Sequence, residues 1–225
     1  MIGSLTGQCP REGWISSTNN IGAVRYEKGH KQATRERVIG VAARRFRKDG
    51  IEATGIATLM KDAGLTHGGF YAHFASKEDL VAEAAVAALR ETRLLLEKAD
   101  REDRKSIEAL VDAYLSPHHR DRVDRGCALA AMAAEIARHS PKTRTRLNDH
   151  ICDLVSLIEA RLPAKLPQHV RSERARAVFC VMLGALQLSR TVADRDLSDS
   201  FLRAGREAAL SLANAEQRVT DCLAS

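Results

Sequence analysis

Residues 66–80 read THGGFYAHFASKEDL. Three of the nine aromatic residues of this 225-residue chain, Phe70, Tyr71 and Phe74, fall within five positions here, directly after two adjacent glycines. The four residues Ser76–Asp79 form a capping box of the S-x-x-[DE] type, which predicts that a new helix begins at this point. The stretch therefore predicts a short aromatic helix followed by a longer one.

The short helix, at about 67–74, is weak in isolation because Gly68 and Gly69 each cost roughly 1 kcal/mol relative to alanine. Phe70 and Phe74 lie four residues apart and can anchor one face of the helix to a core. Glycines let the backbone approach a large partner, and the free amides of a helix N-terminus favour an anion such as phosphate. These features predict a recognition helix in a DNA major groove, with an ordinary tightly packed helix as the alternative.

The chain before this stretch predicts two further helices. The first begins near residue 33, carries an apolar stripe at Val38, Ala42 and Phe46, and stops at Asp49-Gly50. The second is short, follows Thr54-Gly55 and ends at Gly64, and Thr66 can cap the helix after it. Two short helices joined by a turn that contains glycine are typical of a helix-turn-helix.

The positive charge of the chain is concentrated in the first of these helices and just before it. The whole chain has a net charge of +6, whereas residues 24–48 contain nine Lys or Arg and two Glu, a net +7 in that segment alone. A polyanionic partner would explain this distribution. A solvated helix face is the other interpretation.

Downstream of Ser76 the pattern remains helical. A long helix extends from Ser76 to about Lys98, and five more are expected at about 104–115, 126–139, from Ser140-Pro141 through Leu162, 170–191 and 198–214. No period-2 strand pattern appears. We therefore predict an all-α protein of about nine helices, in which a three-helix, helix-turn-helix head precedes a larger helical domain.

Composition excludes several other classes. The five cysteines are widely spaced without a CxxC pair, which excludes a disulfide framework or a zinc site. The pattern of His118-His119 with Asp121 and Asp124 predicts a solvated loop, and we expect no metal and no cofactor. The apolar run at 177–188 is too short to span a bilayer, and no secretory signal is evident. We expect a soluble, reduced, cytoplasmic protein without a membrane association.

From Lys31 to about Leu89 the chain resembles the DNA-binding domain of the tetracycline-repressor (TetR/AcrR-like) family of bacterial transcriptional regulators. The matching residues are Gly50-Ile51-Glu52-Ala53-Thr54, Leu59, Ala63-Gly64-Leu65-Thr66, Gly68, Phe70-Tyr71, His73-Phe74 and Ser76-Lys77-Glu78. The resemblance implies a homodimeric regulator, usually a repressor, that binds a palindromic operator in double-stranded DNA and releases it when a small-molecule inducer binds. It also implies three segments: a disordered extension at 1–23, a DNA-binding domain at 24–90 and a ligand-sensing and dimerisation domain at 91–225.

The resemblance also implies roles for individual residues. Base edges would face Thr66, His67, Gly68 and Gly69. Phosphates would be met by Tyr71, His73 and Lys77, and the basic arm before Val38, with Lys31 and Arg35, would follow the DNA backbone or a minor groove. Two positions depart from the family pattern. Gly55 replaces the usual capping Ser or Thr, for which Thr54 is the expected substitute, and Met60 replaces a small alanine.

The later helices predict a sensor whose ligand is not specified. Small residues in the last helix, Ala204, Gly205, Ala208 and Ala209, permit close helix contact, either in a dimer or in a monomeric core. Cys127 follows Arg125-Gly126 at a predicted helix start, where a dipole and a cation favour the thiolate. Regulators of the family that respond to electrophiles or oxidants suggest Cys127 as a sensing candidate, and a small buried residue is the alternative. Cys152 and Cys180 are expected in the core.

The sequence leaves two other functional classes open. The first is a helical small-molecule-binding protein or an enzyme without sequence-specific DNA binding, against which the chain has no GxSxG, HExxH, Walker A or GxGxxG motif. The second is a non-specific architectural DNA binder, which would need a wider spread of basic residues. We therefore expect no catalytic residues.

Overall fold

The structure is a computed structural model that describes residues 20–98 and 106–215, with side chains from Gly29 onward. Within these ranges it contains ten α-helices and two 3-10 helices and no strand, which confirms the all-α prediction. The 3-10 helices are His67–Ala72 and Val123–Arg125. The α-helices are α1 (Asn20–Asp49), α2 (Ile56–Asp62), α3 (Lys77–Lys98), α4 (Ile107–Tyr114), α5 (Pro117–Asp121), α6 (Ala128–Ile136), α7 (Pro141–Thr145), α8 (Asn148–Glu159), α9 (Gln168–Thr191) and α10 (Arg195–Asn214).

The head consists of α1, α2, the 3-10 helix His67–Ala72 and the first half of α3. Its core is built from the predicted apolar positions, with Val38, Phe46, Leu59 and Phe70 fully or almost fully buried. Two turns fix its shape, and both use glycine in the left-handed region, Gly50 at φ 90° and Gly64 at φ 70°. The predicted stop of α1 and the predicted turn of the helix-turn-helix are therefore both confirmed.

The boundaries in the head differ from the prediction in two respects. The helix α1 begins at Asn20, before the start predicted near residue 33. The 66–74 segment forms a six-residue 3-10 helix, and Thr66 precedes it without any side-chain capping hydrogen bond. The capping role expected for Thr66 is therefore wrong. The start of α3 is as predicted, because the Ser76 hydroxyl accepts a hydrogen bond of 3.1 Å from the backbone N–H of Asp79.

The C-terminal domain has more breaks than the sequence pattern suggests. The predicted loop at 118–124 contains the short helix α5, capped by Ser116. The single helix expected after Ser140 is two helices, because the backbone tightens where the N–H of Leu147 bonds to the carbonyl of Arg144. The last helix begins at Arg195, not Ser198, because the Asp194 carboxylate accepts from the N–H of Leu197 at 2.7 Å. Ser198 lies instead inside α10, buried.

Several side chains hold the head against the C-terminal domain, Arg47, Glu135 and Glu78 among them. Arg47 of α1 is buried and donates both to the carbonyl of Gly126 and to Glu91 in the second half of α3. Glu135 of α6 accepts from the N–H groups of Ile51 and Glu52, just after α1, at 2.9 and 3.0 Å. Because these contacts join the end of α1 to α3, to α6 and to the turn before α6, a shift in one domain must disturb the other.

The third of these side chains is Glu78 in the first turn of α3. Its carboxylate accepts from the hydroxyl of Thr143 and the N–H of Ser140 and contacts the ring of His139. These hydrogen bonds, with that of Thr143 the largest contribution, lower the pKa of Glu78 to about 2. The carboxylate is therefore charged at neutral pH and ties the start of α3 to α7.

The last two helices, α9 and α10, pack along much of their length. Gly205 of α10 makes this possible, because a Cβ added there would lie 2.2 Å from the Cβ of Ala185. The small residues of α10 divide between its two faces. Gly205 and Ala209 are buried against the chain's own core, whereas Ala204 and Ala208 are exposed.

Two sequence predictions concern the ends of the chain and the membrane. The helix α1 begins at Asn20, inside the segment 1–23 that was expected to be an extension, and residues 1–19 lie outside the described residues. Among the described helices, none combines the length and the apolarity needed to cross a bilayer.

Candidate nucleic-acid interface

The 66–74 segment presents one apolar face inward and one polar face outward. Phe70 and Phe74 are buried and stack with ring centroids 5.5 Å apart. Tyr71 lies edge-on against Phe70 at 5.2 Å but is 67% exposed, which makes it one of a few exposed large apolar side chains in the described residues. The segment therefore packs the Tyr71 ring against Phe70 and leaves most of the side chain in solvent.

The two glycines of this segment are not required by the fold. Neither has a positive φ, and a Cβ added at Gly68 would have no atom within 4 Å. A Cβ at Gly69 would make ordinary contacts of 3.7 Å with Met60 and 3.8 Å with Thr66. Met60, the residue that departs from the family pattern, therefore does not require glycine at position 69. The fold does not require glycine at position 68 either.

Other residues predicted to contact DNA also lie on the outer face of the head. Thr66, His67 and Gly68 are exposed, and Gly69 is partly exposed. Lys31 is exposed on α1, and Lys77 is partly exposed at the first position of α3. The structure thus places these side chains on the surface of the head together with Tyr71.

Arg35 and His73 have structural duties that the sequence did not reveal. The guanidinium of Arg35 makes two hydrogen bonds to Glu83, donates to the carbonyl of His73 and lies over the ring of Phe74 at 4.8 Å. It therefore braces the end of the 66–74 segment against α3. Burial, and then the charges of Lys31 and Arg35, lower the pKa of His73, so its imidazole is neutral at pH 7.

Thr54 requires a correction. It was expected to supply a hydroxyl to DNA in place of the missing capping residue, yet it is buried and its hydroxyl donates to the carbonyl of Gly50 at 2.6 Å. The neighbouring Gly55 occupies the N-cap position of α2 without any side-chain hydrogen bond. The turn before α2 therefore presents no hydroxyl in the position where one was expected.

The basic cluster of α1 divides into structural and free charges. Arg45 pairs with Asp49 and Asp62, which ties α1 to α2, and Arg47 is buried against Glu91. Among the described side chains of α1, which begin at Gly29, the exposed basic ones are Lys31, Arg37, Arg44 and Lys48. Part of the predicted polyanion-binding charge is thus used within the fold, in pairs with one carboxylate four residues away and with two that lie further along the chain.

Cys127 is fully buried at the N-cap of α6. Its backbone N–H donates to Nε2 of His119 at 2.8 Å, while Nδ1 of the same ring contacts the carbonyl of Tyr114 at 2.6 Å. The expected helix-end position is therefore correct, but the nearby cation is the partly buried Arg190 and Arg125 is exposed. No electrophile reaches this thiol unless the surrounding helices move.

The positions of Cys152, Cys180 and His119 bear on thiol and metal chemistry. Cys152 and Cys180 were expected in the core, which is wrong, because both are exposed on the outer faces of α8 and α9. In the ranges 29–98 and 106–215 no group of three His, Cys, Asp or Glu is arranged to hold a metal ion. Both ring nitrogens of His119 are already engaged with backbone groups.

We expect a pH dependence of stability that arises from His119. Burial lowers its pKa from 6.5 to about 4, so the unfolded chain binds a proton that the folded chain rejects between these values. The free energy of unfolding therefore has its full value above pH 6.5. It falls as the pH drops towards 4, by about 3 kcal/mol in all. Urea unfolding of the wild type and of His119→Gln at pH 7 and pH 4.5 measures it. The wild type should lose more stability than the variant, and equal losses contradict the assignment.

Comparison with known proteins agrees with the two-part organisation. A model of bacterial regulatory proteins of the tetR family matches residues 38–84, and one of the tetracyclin repressor-like C-terminal domain matches residues 103–205. The transcriptional regulator AcrR of Shigella flexneri is 39% identical over 59 residues, 26% of this chain and 27% of that protein. The regulator TtgR of Pseudomonas putida is 38% identical over 80 residues, 36% of this chain and 38% of that protein. These alignments span less than two fifths of either relative.

Solved structures resemble the fold over most of its length. A TetR transcriptional regulator from Chloroflexus aurantiacus superposes with a TM-score of 0.67 at 23% identity, covering 83% of this chain and 97% of that one. The reduced form of NemR from E. coli gives a TM-score of 0.63 at 16% identity, covering 79% and 95%. With both family models matched in the expected order, the chain belongs to the tetR family of bacterial regulatory proteins.

Proposed function

We propose that this protein is a DNA-binding transcriptional regulator, most simply a repressor, that reads a palindromic operator through the 66–74 segment. The observation that carries the proposal is Gly68, an exposed glycine that the fold does not need, near the exposed Tyr71, whose ring packs on Phe70. A duplex brought close to this surface meets backbone N–H groups and a phenol hydroxyl, which are phosphate and base-edge donors. Lys31 and Lys77 on the same head add positive charge, and no enzymatic step is part of the proposal.

A homodimer accounts for the exposed apolar stripes on α9 and α10. Ala177, Cys180, Gly184 and Leu188 follow one another at helical spacing on α9, and all are at least partly exposed. A parallel stripe on α10 comprises Leu197, Phe201, Ala204, Ala208 and Leu212. An apolar surface of two helices is readily covered by the same two helices of a second copy, and a two-fold dimer would present two heads to two half-sites.

Ligand control is the third part of the proposal. The contacts of Arg47, Glu78 and Glu135 make the position of the head depend on the C-terminal domain. An inducer that binds one arrangement of these helices better than the other would change operator affinity by that difference. Because the proposed operator is DNA, we also assign the protein to the cytoplasm.

We expect Tyr71→Ala to weaken operator binding by roughly tenfold or more, because the substitution removes an exposed hydrogen-bond donor from the proposed interface. Operator duplexes are first selected from a random DNA library with the wild type, and affinities are then measured by fluorescence anisotropy. Tyr71→Phe separates the hydroxyl from the ring. Urea unfolding should be nearly unchanged, because most of the Tyr71 side chain is already in water. Undiminished affinity of a folded Tyr71→Ala protein would exclude this surface, and a library without enrichment would exclude sequence-specific binding.

We expect Ala208→Glu to convert the dimer into a monomer. The substitution places a carboxylate in the middle of the exposed stripe of α10, where pairing of two copies would bury it without a partner. Ala134→Glu is the matched control, because Ala134 is equally exposed on a helix, α6, outside the stripes. Light scattering after size exclusion measures the mass. A dimer that survives Ala208→Glu, or one that Ala134→Glu also disrupts, contradicts the assigned interface.

A further inference from the structure

A groove of about 750 Å³ lies between the head and the C-terminal domain. Its walls come from α1, from the last two turns of α3, and from α4, α5 and the turn at Val123–Arg125. The volume is ample for a small organic molecule, since ligand sites commonly measure about 300–1,000 Å³. Because α1 belongs to the head, a molecule bound here touches both parts of the protein at once.

The charged side chains of the groove are unbalanced towards positive. Arg44 and Lys98 line it and have no ion pair within the described residues, while Arg125 is 63% exposed and lies 3.7 Å from Asp124. The one carboxylate in the lining, Glu91, already pairs with the buried Arg47. Within the described residues, Arg44 and Lys98 therefore stay unpaired, and Arg125 pairs only with Asp124, which does not line the groove.

The remaining lining combines apolar side chains with the polar residues Ser116, His118 and His119. Leu94 is 53% exposed and Leu95 is partly exposed, both on the α3 wall, and Ala113 faces them from α4. Leu94 is among the few large apolar side chains that the described residues leave open to solvent. An apolar wall rimmed by uncompensated cations is complementary to a molecule with an apolar body and an anionic end.

We propose that this groove binds an organic carboxylate with an aliphatic body, and that this molecule acts as the inducer. The inference rests on the proposed regulatory function, for which it names the class of ligand. The carboxylate takes Arg44 and Arg125 as partners, and the body lies along Leu94 and Leu95. A second negative charge in the groove repels the carboxylate of Glu91 and weakens the Glu91–Arg47 pair, which is one of the contacts that hold α1 to the C-terminal domain. Binding therefore favours a different position of the head and lowers operator affinity.

Calorimetry with three eight-carbon probes tests the binding directly, without DNA. Octanoate should bind at least about tenfold more tightly than octanamide, because charge-assisted hydrogen bonds are roughly twice as strong as neutral ones. Octylamine, which is cationic, should bind least. The double variant Arg44→Gln/Arg125→Gln should bind octanoate and octanamide equally, whereas Arg138→Gln, an exposed arginine outside the groove, should behave as the wild type. Equal binding of octanoate and octanamide to the wild type, or undiminished octanoate binding in the double variant, overturns the proposal.

Operator binding is then measured with and without octanoate. The wild type should release DNA in octanoate but not in octanamide, and the double variant should retain its DNA in both. A protein that binds its operator but neither binds nor responds to octanoate contradicts the ligand class alone. A protein that binds octanoate selectively and never binds an operator contradicts the proposed regulatory function and leaves the groove assignment standing as a binding site. The two failures are therefore distinguishable.

Discussion

Gly68→Ala lowers affinity for operator DNA at least about tenfold while leaving the stability of the protein unchanged or slightly raised. The reason is that a Cβ at this position meets nothing in the chain within 4 Å but projects from the exposed face of the 66–74 segment. A close approach of backbone to DNA has no room for an added methyl group, and removing one base or phosphate interaction costs about 1–3 kcal/mol. Alanine also costs less than glycine in a helix, so the fold does not suffer.

Two measurements decide this prediction. Anisotropy with a selected operator gives the affinity, and urea unfolding gives the stability, for the wild type and Gly68→Ala under the same salt. The expected pattern is weak binding by a stable protein. If the variant binds as tightly as the wild type, the glycine is not there for DNA. If it binds weakly because it is unstable, the reasoning from free space around Gly68 is wrong.

Gly205→Ala should produce the opposite pattern, with a large loss of stability. Its added methyl group would lie 2.2 Å from the Cβ of Ala185 and 3.4 Å from Cδ1 of Leu115, so α9 and α10 would have to separate. Overpacking of this kind costs about 1–3 kcal/mol and occasionally more, only partly offset by the better helix propensity of alanine, and we expect a net loss of about 2 kcal/mol. The proposed dimer should weaken as well, because its two stripes depend on the spacing of these helices.

Urea unfolding of Gly205→Ala at several protein concentrations separates the two effects. The loss at low concentration reports the packing of α9 on α10, and the additional loss at high concentration reports the dimer. Gly68→Ala serves as the matched control, since it is the same chemical change at an exposed glycine. Unchanged stability of Gly205→Ala would contradict the close approach of α9 and α10 that the structure shows.

The head was predictable because its decisive signals are short-range. Gly50 and Gly64 end or turn helices through their own left-handed φ, and Ser76 caps α3 through an N–H only three residues away. The dense aromatic pattern at Phe70 and Phe74 fixed the buried face of the 66–74 segment. Signals of this kind need no knowledge of which distant segments meet.

Several corrections concern residues whose partners lie far along the chain. Arg35 pairs with a carboxylate 48 residues away and Arg47 with one 44 residues away, so their structural use could not be separated from DNA binding. Cys180 occupies an apolar helical pattern, but periodicity does not distinguish a face that packs inward from one that awaits a partner. Thr54 was misjudged because its acceptor, the carbonyl of Gly50, depends on the exact path of the turn.

Sequence-specific DNA binding through the head can be tested with one titration. The purified protein is titrated against DNA from upstream of its own gene by fluorescence anisotropy, over a series of salt concentrations and with unrelated DNA as competitor. We expect operator binding that resists the competitor. The affinity should weaken steeply as salt rises, because phosphate contacts release counterions, and binding should fail in Gly68→Ala. Binding that the competitor abolishes, or that is absent even at low salt, would contradict it.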